Sequence, residues 1–219
     1  MAALKYWVWL TTLPGLTDHS KLLLLQHFSS PEDIYYADEE ALWQVEGLKK
    51  EQAALLNSKS LTAADRILSD CARKDIFLVT MADAMYPDRL RNIYQPPLLL
   101  YGKGAMPLFD EEAAVAVVGT RSCTPYGIHC AEKLGYELTQ QGAMVVSGMA
   151  KGIDGAAMRG ALRFGGFTCG VLVLSGVLAG SLLACTRISP PPACCCRSTR
   201  PGQSRRGGAF RCATAFSAA

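Results

Sequence analysis

Beyond residue 154 this 219-residue chain contains neither Asp nor Glu, and beyond residue 151 it contains no Lys. All 19 acids lie in 1–154, against 14 basic residues, so that stretch is net negative. Residues 155–219 carry eight Arg and no acid. One globular domain rarely changes its usage so abruptly. The overall net charge of +3 is therefore an average over two unlike parts and points to no partner. Metal-ligand spacing is lacking as well. The nine cysteines are odd in number, and six of them fall in 169–219. Cys194-Cys195-Cys196 has no two-residue gap of the kind a zinc knuckle needs. The N-terminus has no basic region followed by an apolar run and a small-residue cleavage site, so no signal peptide is expected. The cysteine usage fits a reducing, cytoplasmic compartment.

What is present argues for a folded protein. Half of the residues are apolar and only 11 are proline. The length allows one large domain or two small ones, with material for a sizeable core. The 23 uncharged residues between Arg163 and Arg187 approach the length of a membrane span. Gly165, Gly166, Gly170, Gly176 and Gly180 within them weaken a lone helix, and no membrane partner is expected.

Residues 1–70 read as a helical domain. Leu4, Trp7, Val8 and Leu10 begin an apolar face that Leu22 to Leu25 and Phe28 continue. Asp38-Glu39-Glu40-Ala41-Leu42 opens a further helix with acids in its first turn. Two turns share one shape, Leu13-Pro14-Gly15-Leu16 and Val45-Glu46-Gly47-Leu48. That shape suits a helix-hairpin-helix or SAM-like domain, whose turn amides can meet a phosphate. It suits a plain helical bundle better, because the region is acidic and lacks basic residues in the first turn.

Residues 71–112 read as a small connecting α/β element, with strands at 76–80 and 98–101. From 113 the pattern becomes strand, helix, strand. Residues 113–118 are a continuous apolar run, as in a strand buried on both faces. The following helix carries Ile128, Ala131, Leu134 and Leu138 on one stripe and ends at Gly142. A strand at 143–146, a helix at 155–164 and a strand at 168–172 complete the first half of a parallel, Rossmann-like sheet over 113–175. The fold class is thus α/β, a helical domain followed by an incomplete Rossmann-like domain.

In such sheets ligands sit beyond the carboxyl ends of the strands, where two Gly-rich loops fall. Gly119-Thr120-Arg121-Ser122-Cys123-Thr124-Pro125-Tyr126-Gly127 forms the first, and Ser147-Gly148-Met149-Ala150-Lys151-Gly152-Ile153-Asp154 the second. Each leads into a helix N-terminus, whose free N–H groups attract anions. Gly119, Gly148 and Gly152 allow close backbone approach. Arg121 offers a planar fork for phosphate oxygens, and Lys151 a point charge. Ser122 and Ser147 add hydroxyls. Gly119 also suits a simple tight turn, and Asp154 reads as a structural helix cap rather than a catalytic acid. Neither loop is G-x-G-x-x-G or a P-loop, and no Ser/His/Asp set is present. The expectation is a phosphate binder with no catalytic residue, no metal and no cofactor.

VAVVGTRSCTPYG and VVSGMAKGIDGAAMRGAL resemble the two signature stretches of the DprA/Smf DNA-processing family. YPDRLRNIYQPPLLLYGKG and the helical N-terminus fit it too, so the resemblance covers about 1–172. It implies a protein, not an enzyme, that binds single-stranded DNA and delivers it to the RecA recombinase in natural transformation. The resemblance also implies a homodimer for the full-length protein. Carried over by motif, Arg121 grips a phosphate, while Gly119, Thr120, Ser122, Ser147, Gly148, Lys151 and Gly152 line the site. Lys151 stands where the family uses Arg, and Met158 where it uses His. The alternative is a Rossmann-like nucleotide-processing enzyme of the phosphoribohydrolase, lysine decarboxylase-like class, whose P-G-G-x-G-T loop is absent here.

After about 172 the family motifs stop. In a shifted reading frame, using the last base of each codon with the first two of the next, residues 193–203 can encode L-L-L-S-E-Y-P-P-G-T. By the same rule, 209–219 can encode F-P-V-R-N-R-I-L-S-G. Both motifs belong to the family, in this order. The tail is therefore expected to be an out-of-frame translation with its onset between Gly170 and Pro192. An irregular segment is expected over 176–219.

Overall fold

Local signals in the first third of the chain close short helices one after another. Thr17, Ser30 and Asp38 each cap a helix by accepting a backbone N–H three residues on. Pro31 occupies the first turn of its helix, where a missing N–H costs nothing. The result is six helices: α1 (Leu4–Thr12), α2 (Asp18–His27), α3 (Pro31–Tyr36), α4 (Glu39–Trp43), α5 (Lys50–Leu55) and α6 (Thr62–Arg73). The two like turns lie between α1 and α2 and between α4 and α5. Gly15 and Gly47 take φ +82° and +83°, a left-handed backbone that glycine adopts without strain. The structure, a computed structural model, describes residues 3–174 and 180–187, with side chains through Leu172.

The helical unit closes around Trp9, which is 2% exposed and donates from its indole N–H to the Ser58 carbonyl at 3.0 Å. Val8, Leu10, Leu24, Ile34, Leu42, Leu56 and Ile67 share its core.

One sheet follows. Its strands are β1 (Phe77–Thr80), β2 (Leu99–Gly104), β3 (Ala114–Ala116), β4 (Met144–Ser147), β5 (Phe167–Leu174) and β6 (Gly180–Arg187), in the order β1-β2-β6-β5-β4-β3. A short helix α7 (Asp88–Arg91) lies between β1 and β2. Strands β3, β4 and β5 are parallel, joined by α8 (Pro125–Gln140) and α9 (Ile153–Phe164). The full sheet is mixed, because β1 pairs β2 and β5 pairs β6 in antiparallel fashion. The strands of the 71–112 element thus belong to the same sheet as the β-α-β unit.

Three expectations need correcting. The 113–118 run is not a strand buried on both faces. β3 is three residues long and lies at the sheet edge, with Val118 beyond it 72% exposed. Leu134 does not face the core: it is 45% exposed, and α8 buries Ala131, Gly135 and Thr139 instead. Small residues form that face because α8 and α9 approach backbone to backbone. A Cβ on Gly135 would overlap the Ala157 carbonyl oxygen, and one on Gly160 would overlap the Glu132 carbonyl oxygen. Lastly, residues 180–187, expected in an irregular tail, form β6 between β2 and β5. Residues 175–179 and 188–219, with the shifted-frame motifs, lie outside the described residues. Among the described residues no helix is long and apolar enough to cross a membrane.

Candidate functional site

Loop L1, residues 117–124, leaves β3 for α8, and loop L2, residues 148–152, leaves β4 for α9. Because β3 and β4 are parallel neighbours, both loops emerge at one end of the sheet. The sequence places them side by side, and the structure interlocks them. The Ile153 N–H donates to the Thr120 carbonyl at 3.2 Å. A Cβ on Gly152, whose φ is +90°, would overlap the Thr120 carbonyl oxygen and stand 2.8 Å from the Arg121 carbonyl oxygen. One on Gly119 would meet the Ile153 side chain at 2.6 Å. The space beside these two glycines is filled by the facing loop. Their small size serves loop-to-loop contact, where the sequence suggested room for a phosphate.

Asp154 is corrected in the same way. It is 3% exposed and does not cap α9, whose N-cap is Gly152 with no side-chain cap. Its Oδ1 accepts the Gly119 N–H at 3.0 Å across 35 residues, tying L1 to the first turn of α9. A Cβ on Gly148 would stand 3.1 Å from the other carboxylate oxygen, Oδ2. Ser147 is buried too, and its hydroxyl donates to the Val117 carbonyl at 2.8 Å. Amides of the loops and of the helix starts are largely committed as well. Gly155 N–H donates to the Ala150 carbonyl, Gly127 N–H to the Thr124 hydroxyl and Ser122 N–H to the Thr120 hydroxyl. Pro125, first in α8, has no N–H to offer.

The exposed remainder is a set of side chains, not an amide nest. Thr120, Arg121, Ser122, Gly148 and Lys151 are exposed and Gly152 is half-buried. Among the described residues neither Arg121 nor Lys151 has an acidic partner. Arg121 lies against Gly152, so two unpaired cations flank one loop junction. L2 is also fixed in a costly shape: Met149 takes φ 56°, where a side chain is uncommon.

The sequence reading gave Tyr126 no role. It is the second residue of α8, 77% exposed, with its hydroxyl in reach of Cys130. That contact, more than the charge it would face there, raises the phenol pKa. An aromatic placed two residues after a cap, outside the apolar stripe, was the available signal. Among the described residues no three His, Cys, Asp or Glu side chains stand close enough to hold a metal.

Residues 77–177 match the family model described as DNA recombination-mediator protein A. The DNA processing protein DprA of Bacillus subtilis is 35% identical over 107 residues, 49% of this chain and 36% of that protein. Protein Smf of Synechocystis is 30% identical over 171 residues, 76% of this chain and 43% of that protein. The X-ray structure of DprA from Streptococcus pneumoniae aligns with a TM-score of 0.60 at 26% identity, over 82% of this chain and 66% of that one. The chain spans less than half the length of these two curated relatives.

Proposed function

Because residues 77–177 belong to the DNA recombination-mediator protein A (DprA/Smf) family, we propose that this chain binds single-stranded DNA at the L1–L2 junction. The observation that carries the reading is the pair of exposed cations, Arg121 and Lys151, without an acidic partner among the described residues, on two loops locked to each other. Phosphates are the part of a strand such a site meets first. They give affinity without reading sequence, and the affinity falls as salt rises. Arg121 presents a planar fork that takes two phosphate oxygens at once, while Lys151 adds a compact charge. The buried Asp154 carboxylate acts at one remove, by holding the L1 backbone in place. Nothing in this reading requires a catalytic group or a cofactor. The further step, handing the bound strand to RecA during natural transformation, rests on the family alone.

The test is a salt titration of oligonucleotide binding followed by fluorescence anisotropy. Arg121→Ala removes a charge-assisted contact worth about 1.5–3 kcal/mol, or roughly a tenfold to hundredfold loss of affinity. The salt slope flattens in the same variant. Unchanged affinity in Arg121→Ala would overturn the assignment.

A further inference from the structure

We propose that Tyr126 is a base-stacking platform beside the two cations, the contact by which this site distinguishes a strand that carries bases from bare sugar-phosphate. The proposal rests on the single-strand reading above and deepens it.

The ring has no structural task among the described residues. It belongs to none of the three hydrophobic clusters and to no aromatic pair. The neighbouring aromatic of the same helix, Tyr136, packs edge-on against Phe164, so α8 has an aromatic that is used for packing and one that is not. An exposed tyrosine is unremarkable by itself. Its position is what matters. The first turn of α8 leans on the first turn of α9, since a Cβ on Gly127 would stand 3.5 Å from Ile153 Cδ1. Ile153 follows Gly152, which abuts Arg121. The ring, the guanidinium-bearing residue and Lys151 therefore share one end of the sheet.

The ring also stands open to solvent at the start of α8, where a base can reach its face. Unpaired bases offer their π-faces to such a platform whatever their identity, whereas phosphate contacts alone ignore bases. Cations for the backbone and an exposed aromatic for a base together form the minimal single-strand site.

The experiment compares an oligothymidylate with an abasic oligonucleotide of equal length and equal charge, using the full chain and fluorescence anisotropy. Tyr126→Ala should lower affinity for oligothymidylate about tenfold, from the loss of one base-stacking contact, and leave the abasic strand unaffected. Tyr126→Phe should keep wild-type affinity for both. Arg121→Ala should lower affinity for both strands alike. Stacking is overturned if Tyr126→Ala leaves oligothymidylate binding unchanged or lowers both strands equally while Arg121→Ala still weakens both. If the wild-type chain binds neither strand, the single-strand reading falls and the stacking falls with it.

Discussion

The helical unit α1–α6 and the α8–α9 layer are held together by opposite means. In the first, large side chains converge: Trp9, Leu10, Leu24, Ile34, Leu42 and Leu56 are all essentially sealed from solvent. In the second, the contact is made by what is missing. Gly135 and Gly160 bring two helix backbones together, and Ala131, Ala156, Ala157 and Ala161 fill the little space left. Around this contact Glu132 of α8 binds Arg159 and Arg163 of α9, each at 3.0 Å. A core of bulk is vulnerable to loss of volume, and a backbone seam to its gain. The seam is the one that carries the candidate site, since α8 and α9 both begin at the L1–L2 junction.

The strongest way to break this comparison is Trp9→Ala. Removing the indole leaves a cavity and an unmatched Ser58 carbonyl, and should cost about 3–5 kcal/mol in urea unfolding followed by circular dichroism. A loss under about 1 kcal/mol would mean that the first core does not depend on bulk. Gly135→Ala comes next and acts in the opposite sense. Alanine favours helix by about 1 kcal/mol, yet its methyl group would overlap the Ala157 carbonyl, so the variant should be destabilised, by about 1–3 kcal/mol. A stabilised Gly135→Ala would show that the seam is looser than described. The smallest effect belongs to the polar tie between the loops. Asp154→Asn keeps an acceptor for the Gly119 N–H but replaces a charged acceptor with a neutral one, a change of about 1 kcal/mol. Measured by the same unfolding, Asp154→Asn should fall below Gly135→Ala; a larger loss would rank the tie above the seam.

The sequence exposed some of this and concealed the rest for definite reasons. The acids of Asp38-Glu39-Glu40 are a local signal, and the helix they open is where the pattern puts it. The order of strands and helices from 114 to 174 follows from hydrophobic period and glycine punctuation, which are also local. Burial on β3 was misread because apolar content does not reveal which strand lies at an edge. Leu134 was misread because a stripe of large residues looks like a core face, while the true face is built of residues too small to register. At the site, Arg121 and Lys151 were legible as exposed cations in Gly-rich loops. The work of Gly119, Gly152, Ser147 and Asp154 was not, because their partners lie up to 35 residues away.

Met149 in L2 illustrates a bargain between durability and shape. Its left-handed φ of 56° carries a penalty of order 1 kcal/mol that a glycine would not incur. Exchanging it for glycine would relieve that local strain while widening the range of shapes L2 can explore in the free protein. Some of the strain removed would then return as entropy lost at each encounter with a ligand. A directed search for thermostable variants would be drawn to this position, and one for tight binders would leave it alone.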